Sequence, residues 1–534
     1  MPSSSSSQED RALARARKRN QVFPRTRTGC LTCRQRKKKC DETKPQCQAC
    51  TRNDLNCSWP PHIVRIFGLD DQKIGQDSSV EGQASSWDDI TVTPSASSTH
   101  TSLFSSPSLV ETTEDSGNED NEWTVAWSSG INAFLSPKRA GMLLPVSQAL
   151  LAHYLENTAP LLSTAPAHDA PFIFWVMPLA YNDDLLMHSV LALSGAHLSF
   201  RSDENIAVQQ ATYRHYCLVL RTLRQISDNE VLLSDPHALL RVVLALVIMC
   251  HYEVLSGNIS GSLFTHLRAS RHLVLALRSK QQEIRTDSER RLYGFIMEVY
   301  SYLVLCNSVT PFGMNQNRTL VHDSFLQSID DLKHFGAFGV MFGGGHGLFE
   351  LLSLVSLFAA QQDSLPPPSE LPNSERFSIY KRLKNSVVNW NPPVVESANS
   401  DWLSQRRAAL EVCRHALLIF LETALSFFTK GDMERIGHIQ TLIDVAISYL
   451  PQIFPSNYSC ILMWPLMIIG SCMVNEEQKE LLKSILTHNH YMMRNSVQGG
   501  RLLELLWEDR DEAAIGPYGL GLIMNKHGFD YGVI

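Results

Sequence analysis

From about Leu144 to the C-terminus, apolar positions recur near a 3.6-residue period, which predicts a succession of amphipathic helices. The segment Asn182–Asp184 supplies capping residues for the run LLMHSVLALSGAHLSF, in which Leu185, Val190, Leu193 and Leu198 share that period. Similar runs follow at IAVQQATYRHYCLVLRTLRQI, HALLRVVLALVIMCHYEVL, LFTHLRASRHLVLAL and SERRLYGFIMEVYSYLVL. Later ones are GLFELLSLVSLFAAQ, RRAALEVCRHALLIFLETALSFF, MERIGHIQTLIDVAISYL, EEQKELLKSILTHNHYMM and GRLLELLWEDRDEA. Alternation of the kind that marks strands, bounded by Asn-Gly or Asp-Gly turns, is absent. Residues 131–534 therefore read as one large all-α domain, with irregular breaks at the proline-rich stretches Leu365–Pro372 and Asn391–Pro393. No fixed-period repeat is evident.

The pattern changes towards the N-terminus. Residues 1–29 are a serine run followed by a basic arm, and they read as disordered. Residues 58–130 form an acidic, Ser/Thr-rich linker; within them, positions 70–122 hold twelve Asp/Glu against the single basic residue Lys73. So polar a stretch cannot bury enough apolar surface to fold. It ends in EDSGNEDNEWTVAW, where acidic residues interleave with Trp123 and Trp127. A solvated linker is the simpler reading, and a disordered activation segment is the other. Ser58–Gly75 carries no sustained heptad, so a coiled-coil dimer is not expected there.

Charge sharpens this division. Residues 1–60 carry fourteen Lys/Arg and five Asp/Glu, a balance of +9, so the remainder must carry −16 to reach the overall −7. A basic head on an acidic body points to a polyanionic partner for the head alone. The clusters Arg15–Arg19 and Arg34–Lys39 also suit nuclear import. The polar start lacks the apolar region of a secretory signal. The longest strictly apolar run is Val242–Cys250, and the one at Cys460–Val474 is broken by Pro465, Gly470 and Ser471. Both fall short of the ~20 residues a membrane helix needs, so no membrane partner is expected. A reducing compartment follows, in which the twelve cysteines are not expected to form disulfides. Cys217, Cys250, Cys306, Cys413, Cys460 and Cys472 lie in apolar surroundings and read as buried small hydrophobes.

The other six cysteines carry the chemistry. Cys30, Cys33, Cys40, Cys47, Cys50 and Cys57 are separated by gaps of two, six, six, two and six residues, so the half-motif C-x2-C-x6-C is written twice. Structural zinc takes four thiolate or imidazole ligands in a tetrahedron. Six thiolates cannot make two separate four-cysteine sites, but they serve two Zn²⁺ ions if two sulfurs bridge. The repeat favours the first cysteine of each half, Cys30 and Cys47, as bridges. One ion then takes Cys30, Cys33, Cys40 and Cys47, and the other takes Cys47, Cys50, Cys57 and Cys30. Six thiolates and two Zn²⁺ sum to −2, which neighbouring cations help offset. Folding of so small a module should depend on the metal. Between Cys33 and Cys40 lie Arg34, Gln35, Arg36, Lys37, Lys38 and Lys39, whereas Thr51–Asn56 offers only Arg52. A short basic helix clipped by zinc is suited to the DNA major groove, where Arg and Lys pair with guanine. Only the first half is built to enter it.

These residues resemble the fungal Zn2Cys6 binuclear-cluster transcription factors. All six cysteines align with that family's spacing, its basic run corresponds to Arg34–Lys39, and its proline two before the fourth cysteine is Pro45. The resemblance implies that Arg36 and Lys37 read a CGG triplet, with Arg34, Lys38, Lys39 and Arg52 on phosphates. Arg36 stands where lysine is common in the family, which keeps guanine preference but alters contact geometry. A second resemblance covers roughly residues 145–510. YLENTAPLLS, PLAYNDDLLMHSVLALSGAHLSF, LFTHLRASRHLV, MWPLMIIGSC and LLELLW look similar to the fungal-specific transcription factor regulatory domain. That domain is helical, is held to govern dimerisation and activity, and in some sterol-responsive relatives binds a ligand. The resemblance thus implies a nuclear regulator of RNA polymerase II transcription that binds double-stranded DNA. Coactivators and a homodimer through the helical domain are the further partners it suggests.

The remaining signals point to no enzyme. The stretch FGAFGVMFGGGHG (Phe335–Gly347) lacks GxxxxGK[ST] and GxGxxG, and reads as a flexible loop before a helix. GNISG at Gly257–Gly261 misplaces its serine for a nucleophile elbow. His488 with His490, and His266 with His272, lack metal-ligand spacing and read as surface or satisfied core histidines.

Overall fold

The computed structural model describes residues 30–57 and 144–533, apart from breaks at 31, 34–35, 37, 39, 42, 44–45, 54, 167–168, 202–204, 228–233, 311–317, 337–338, 362–370, 395–399 and 488–492. The expectations for the basic arm 1–29, the linker 58–130 and the His488/His490 pair lie outside the described residues. The chain divides into two compact units, Met1–Val110 and Glu111–Ile534.

Among its described residues the larger unit is largely helical. Its principal helices are α1 (Pro145–His153), α2 (Asp184–Arg201), α3 (Ile206–Ser227), α4 (Pro236–Leu255), α5 (Ser262–Ser279), α6 (Asp287–Cys306) and α7 (His346–Ala360). They continue with α8 (Glu375–Asn389), α9 (Ser400–Ala424), α10 (Met433–Ile453), α11 (Met463–Ser471), α12 (Glu476–Thr487), α13 (Arg494–Glu508) and α14 (Gly516–His527). Among the described residues there is no β-strand, only an isolated bridge between Ser260 and Asp530. The first half pairs α2 with α3 and stacks α4 on α2 and α5; the second pairs α9 with α10 and packs α11 against α9, α13 and α14.

Local chemistry explains where the helices begin. The Asp183 carboxylate accepts the Leu186 N–H at 3.1 Å and so caps α2, within the capping stretch that the pattern predicts. Asp235 accepts from His237 N (3.0 Å) and Ala238 N (3.2 Å) ahead of Pro236 at the first position of α4. Thr286 caps α6 through the Glu289 N–H, and Ser374 caps α8 through the Phe377 N–H.

α4 is the central element of the first half. By length and composition it could cross a membrane, with mean hydropathy 2.0 over its most apolar window, yet 83% of that window is buried inside the fold. It is a core helix: Val243, Leu244, Val247 and Ile248 are fully buried, and the one buried carboxylate it carries, Glu253, is satisfied. Tyr216 O–H (2.6 Å), Asn258 Nδ2 (2.5 Å) and His266 Nε2 (3.2 Å) all reach that carboxylate. His266 is thus a satisfied core histidine, and His272 is exposed. Cys250, Cys306, Cys413 and Cys472 are buried, while Cys217 and Cys460 are half-buried.

Four helices go beyond the predicted runs: α1, α8, α11 and α14. The glycine-rich stretch before α7 is indeed a loop, but it is tied down. Glu298 accepts the N–H groups of Gly339 (2.9 Å) and Met341 (2.7 Å), Thr164 donates to the Val340 carbonyl, and Arg406 Nε donates to the Gly343 carbonyl at 2.8 Å. Gly344 has φ +74° and packs against Arg406, where a Cβ would come within 2.6 Å of the guanidinium. Only glycine meets both demands.

Candidate metal centre and nucleic-acid interface

Among its described residues the smaller unit has no apolar core in the ordinary sense. Its buried cluster is Cys30, Cys33, Cys40, Cys47 and Cys50, with Ala49, Leu55 and Cys57 packed against it. The sulfurs of Cys30, Cys33, Cys47 and Cys50 all lie within 4.8 Å of one another. Four separations are 3.7 Å (Cys30–Cys47), 3.8 Å (Cys30–Cys50), 3.6 Å (Cys33–Cys47) and 3.9 Å (Cys33–Cys50). A Zn–S bond of about 2.3 Å gives a tetrahedral S···S edge of about 3.8 Å. The donor set is therefore spaced as zinc requires, and among the described residues it contains thiols only.

The repeat in the sequence recurs in space. The Cys30 N–H points to the Cys40 sulfur at 3.4 Å, and the Cys47 N–H to the Cys57 sulfur at the same distance. The Cys33 N–H reaches the Cys30 sulfur at 3.3 Å, and the Cys50 N–H the Cys47 sulfur at 3.4 Å. Each first cysteine thus receives an amide from its own half and lies beside sulfurs of the other. The Cys57 sulfur also interacts with those of Cys30 and Cys50. Two further residues, Thr32 and Asp41, tie the halves together. Thr32 Oγ1 donates to the Asn56 carbonyl at 2.7 Å. The Asp41 carboxylate accepts from Thr43 N (3.2 Å), Gln48 N (3.1 Å) and Ala49 N (3.2 Å), and so caps the short helix Gln48–Thr51 that carries Cys50. Bonding with Thr43, followed by the Gln48 and Ala49 amides, holds the Asp41 carboxyl down at about 2.

Electrostatics point to a cation. Burial pushes the Cys30 and Cys33 thiols up and brings Cys50 to about 12. At Cys47 burial also pushes upward, but the Cys50 amide and the thiols of Cys50, Cys33 and Cys30 outweigh it and bring the group to about 6. Of these four thiols, Cys47 is the one drawn downward. Several buried thiolates at this spacing need a multivalent cation among them. Among the described residues no imidazole or carboxylate joins the sulfur set.

The basic segment is described in part. Thr32 and Cys33 are helical, and the Arg36 N–H to Thr32 carbonyl bond (3.2 Å) carries the turn onward; at Lys38 the chain is no longer helical. The helix expected across the whole Cys33–Cys40 interval is thus, among the described residues, a single turn. Arg36, Lys38 and Arg52 are exposed, and Arg52 lies one helical turn beyond Gln48, to which its guanidinium donates at 3.2 Å. Arg34, Lys37 and Lys39 lie outside the described residues. Spacing alone identified the cysteines, whereas Asp41 and Thr32 join segments in a way that no local sequence signal carries.

A thiol-only zinc module beside exposed cations, on a chain whose other unit is all helical, defines a zinc-cluster DNA-binding regulator. Residues 28–63 match the fungal Zn(2)-Cys(6) binuclear cluster domain, and residues 149–517 match the fungal specific transcription factor domain. The chain belongs to the fungal Zn2Cys6 transcription-factor family, which is a family of zinc-binding, DNA-binding regulators and not of enzymes. Among its relatives is the zinc cluster transcription factor CZF1 of Candida albicans, 64% identical over 39 residues, 7% of this chain and 10% of that protein. The transcriptional activator protein UGA3 of Saccharomyces cerevisiae is 22% identical over 494 residues, covering 85% of this chain and 86% of its own. The pestheic acid cluster transcriptional regulator 3 of Pestalotiopsis fici is 22% identical over 584 residues, covering 94% and 98%. The match to CZF1 thus spans about a tenth of that relative, and the long matches are distant. No solved structure matches the chain.

Proposed function

We propose that this protein is a nuclear, sequence-specific regulator of RNA polymerase II transcription that reads CGG-type half-sites through the Cys33–Cys40 segment. The observation that carries the reading is the doubled amide-to-sulfur arrangement around Cys30 and Cys47, with the cation run held between two of its cysteines. Two Zn²⁺ ions share the six sulfurs: Cys30, Cys33, Cys40 and Cys47 hold one, and Cys47, Cys50, Cys57 and Cys30 the other. The metal's part is to neutralise and cross-link the thiolates. Recognition belongs to the side chains. Arg36 and Lys37 pair with guanine edges, while Arg34, Lys38, Lys39 and Arg52 contact phosphates. Residues 1–29 add non-specific attraction, residues 58–130 tether the reader, and residues 131–534 supply homodimerisation and contacts to coactivators.

Binding of the zinc-loaded chain to CGG duplexes tests the division of labour. Arg36→Ala or Lys37→Ala is expected to cost about 1–3 kcal/mol on CGG and to reduce the preference over a scrambled duplex. Lys38→Ala or Arg52→Ala should weaken all sequences alike and lower the salt slope by about one. If Arg36→Ala and Lys37→Ala left the CGG preference intact, the assigned readers would be wrong. A second reading, one ion at Cys30, Cys33, Cys47 and Cys50, is favoured by the mutual proximity of those four sulfurs. A stoichiometry of one zinc per chain would select it.

A further inference from the structure

α3 turns to solvent a face at odds with the acidic body that carries it. Ile206, Tyr213 and Leu220 recur every seven residues, which places them on one side of the helix, and they are 66%, 60% and 36% exposed. Arg214, Arg221 and Arg224 are exposed beside them. Neither α3 nor α1, which packs against it, contains an Asp or Glu, although the residues after position 60 sum to −16. Single exposed apolar side chains are ordinary, but three large ones on one basic face mark a surface for a partner.

The occupant that this face fits is on the same chain. Glu114–Trp127 carries five Asp/Glu, no Lys, Arg or His, and the indoles of Trp123 and Trp127. These groups complement the face: carboxylates pair with guanidinium groups, and indoles stack on guanidinium planes or cover apolar side chains. Position favours the segment as well. The described helical residues begin at Leu144, itself 48% exposed, and three residues on the Ser147 hydroxyl lies 3.1 Å from His215 Nε2, in the middle of α3. The stretch from Trp127 to Leu144 spans up to about 55 Å when extended, against about 33 Å for the whole of α3. Every part of the face is therefore within reach. A short tether gives an effective concentration on the order of millimolar, so weak contacts suffice. A second copy is a poorer occupant, because pairing α3 with α3 sets arginine against arginine. A nucleic-acid backbone would use the arginines and leave Ile206, Tyr213 and Leu220 uncovered.

We propose that the exposed face of α3 is the docking site for the acidic, tryptophan-bearing segment Glu114–Trp127 of the same chain. Trp123 and Trp127 cover the apolar positions, and the carboxylates pair with Arg214 and Arg221. Docking is independent of the DNA-reading proposal, since face and segment both fall within Glu111–Ile534.

Fluorine NMR of the zinc-loaded full chain labelled with fluorotryptophan tests this. Trp123→Phe and Trp127→Phe assign the two signals, and a synthetic Glu114–Trp127 peptide gives their free positions. At low salt both signals should lie away from the peptide's, whatever the protein concentration. They should move to the peptide's positions in about 1 M NaCl, where charges are screened beyond about 3 Å, and in the double variant Arg214→Glu/Arg221→Glu. Adding Glu119→Lys and Asp120→Lys to that variant should displace them again. Peptide-like positions in the unaltered chain at low salt would overturn the proposal; weaker binding of a scrambled duplex by the double variant would then assign the face to nucleic acid. A displacement that grows with protein concentration would overturn it in favour of a second copy. The low-salt comparison with the peptide stands even if the double variant fails to fold.

Discussion

Glu298 shows how much one residue organises. It is fully buried on α6 and joins that helix to the glycine-rich loop through the Met341 and Gly339 amides. Burial pushes its carboxyl up to about 8, against the pull of those amides. In an unfolded chain the group titrates near about 4.3. Between those values the folded state keeps a proton that the unfolded state releases, so stability falls as pH rises from about 5 to 8. The slope is at most about 1.4 kcal/mol per pH unit. Glu298→Gln keeps an acceptor and removes the titration. Urea unfolding should therefore show the wild type losing stability relative to Glu298→Gln between pH 5 and pH 8. A difference that did not change with pH would contradict the assignment of a neutral Glu298. At this scale the four cysteines whose sulfurs the structure brings together, Cys30, Cys33, Cys47 and Cys50, were legible, because metal ligation demands fixed residue types at fixed spacing. Asp41 and Glu298 were not, because their partners are backbone amides brought close only by the fold.

Among the elements, the ends of α7 and α9 converge on Arg376 of α8. Its guanidinium donates to the carbonyls of Ala424 (2.5 Å), Leu425 (3.0 Å) and Phe358 (3.3 Å), and it stacks over the Phe358 ring at 4.0 Å. One buried cation thus satisfies the C-terminal carbonyls of two helices, where the helix dipole also favours positive charge. Arg376→Met keeps much of the apolar stem and removes the donors. It should cost about 1–3 kcal/mol in a denaturant titration of the full chain, and an unchanged midpoint would show that solvent satisfies those carbonyls instead. The helices that periodicity predicted are those with long amphipathic or apolar runs. α8 escaped because its buried set is sparse: Arg376, Tyr380, Leu383 and Val387. α14 is punctuated by Gly516, Pro517, Gly519 and Gly521, and the nine residues of α11 carry Pro465 and Gly470. In each, tertiary packing overrides a weak local signal.

At the scale of the whole molecule, the two units are stabilised by different physics. The helical unit has a continuous apolar core in which side chains such as Trp464, Phe349 and Phe420 are buried. Among the described residues the smaller unit buries sulfur in place of hydrocarbon, and Ala49 and Leu55 alone add apolar packing to its cysteines. A module of that size lacks the core to fold alone, so metal binding supplies its folding free energy. The two-part architecture was readable from patterning and charge, whereas the meeting of α1 with α3 at Ser147 and His215 was not, since residues so far apart in the chain are brought together only by the fold. Folding of the helical unit should survive metal removal, and DNA recognition should not. Fluorescence anisotropy of the full chain on a CGG duplex, before and after zinc chelation and again after zinc is restored, measures that dependence directly. The account predicts specific binding that is lost on chelation and returns with zinc; specific CGG binding that persisted without zinc would contradict it.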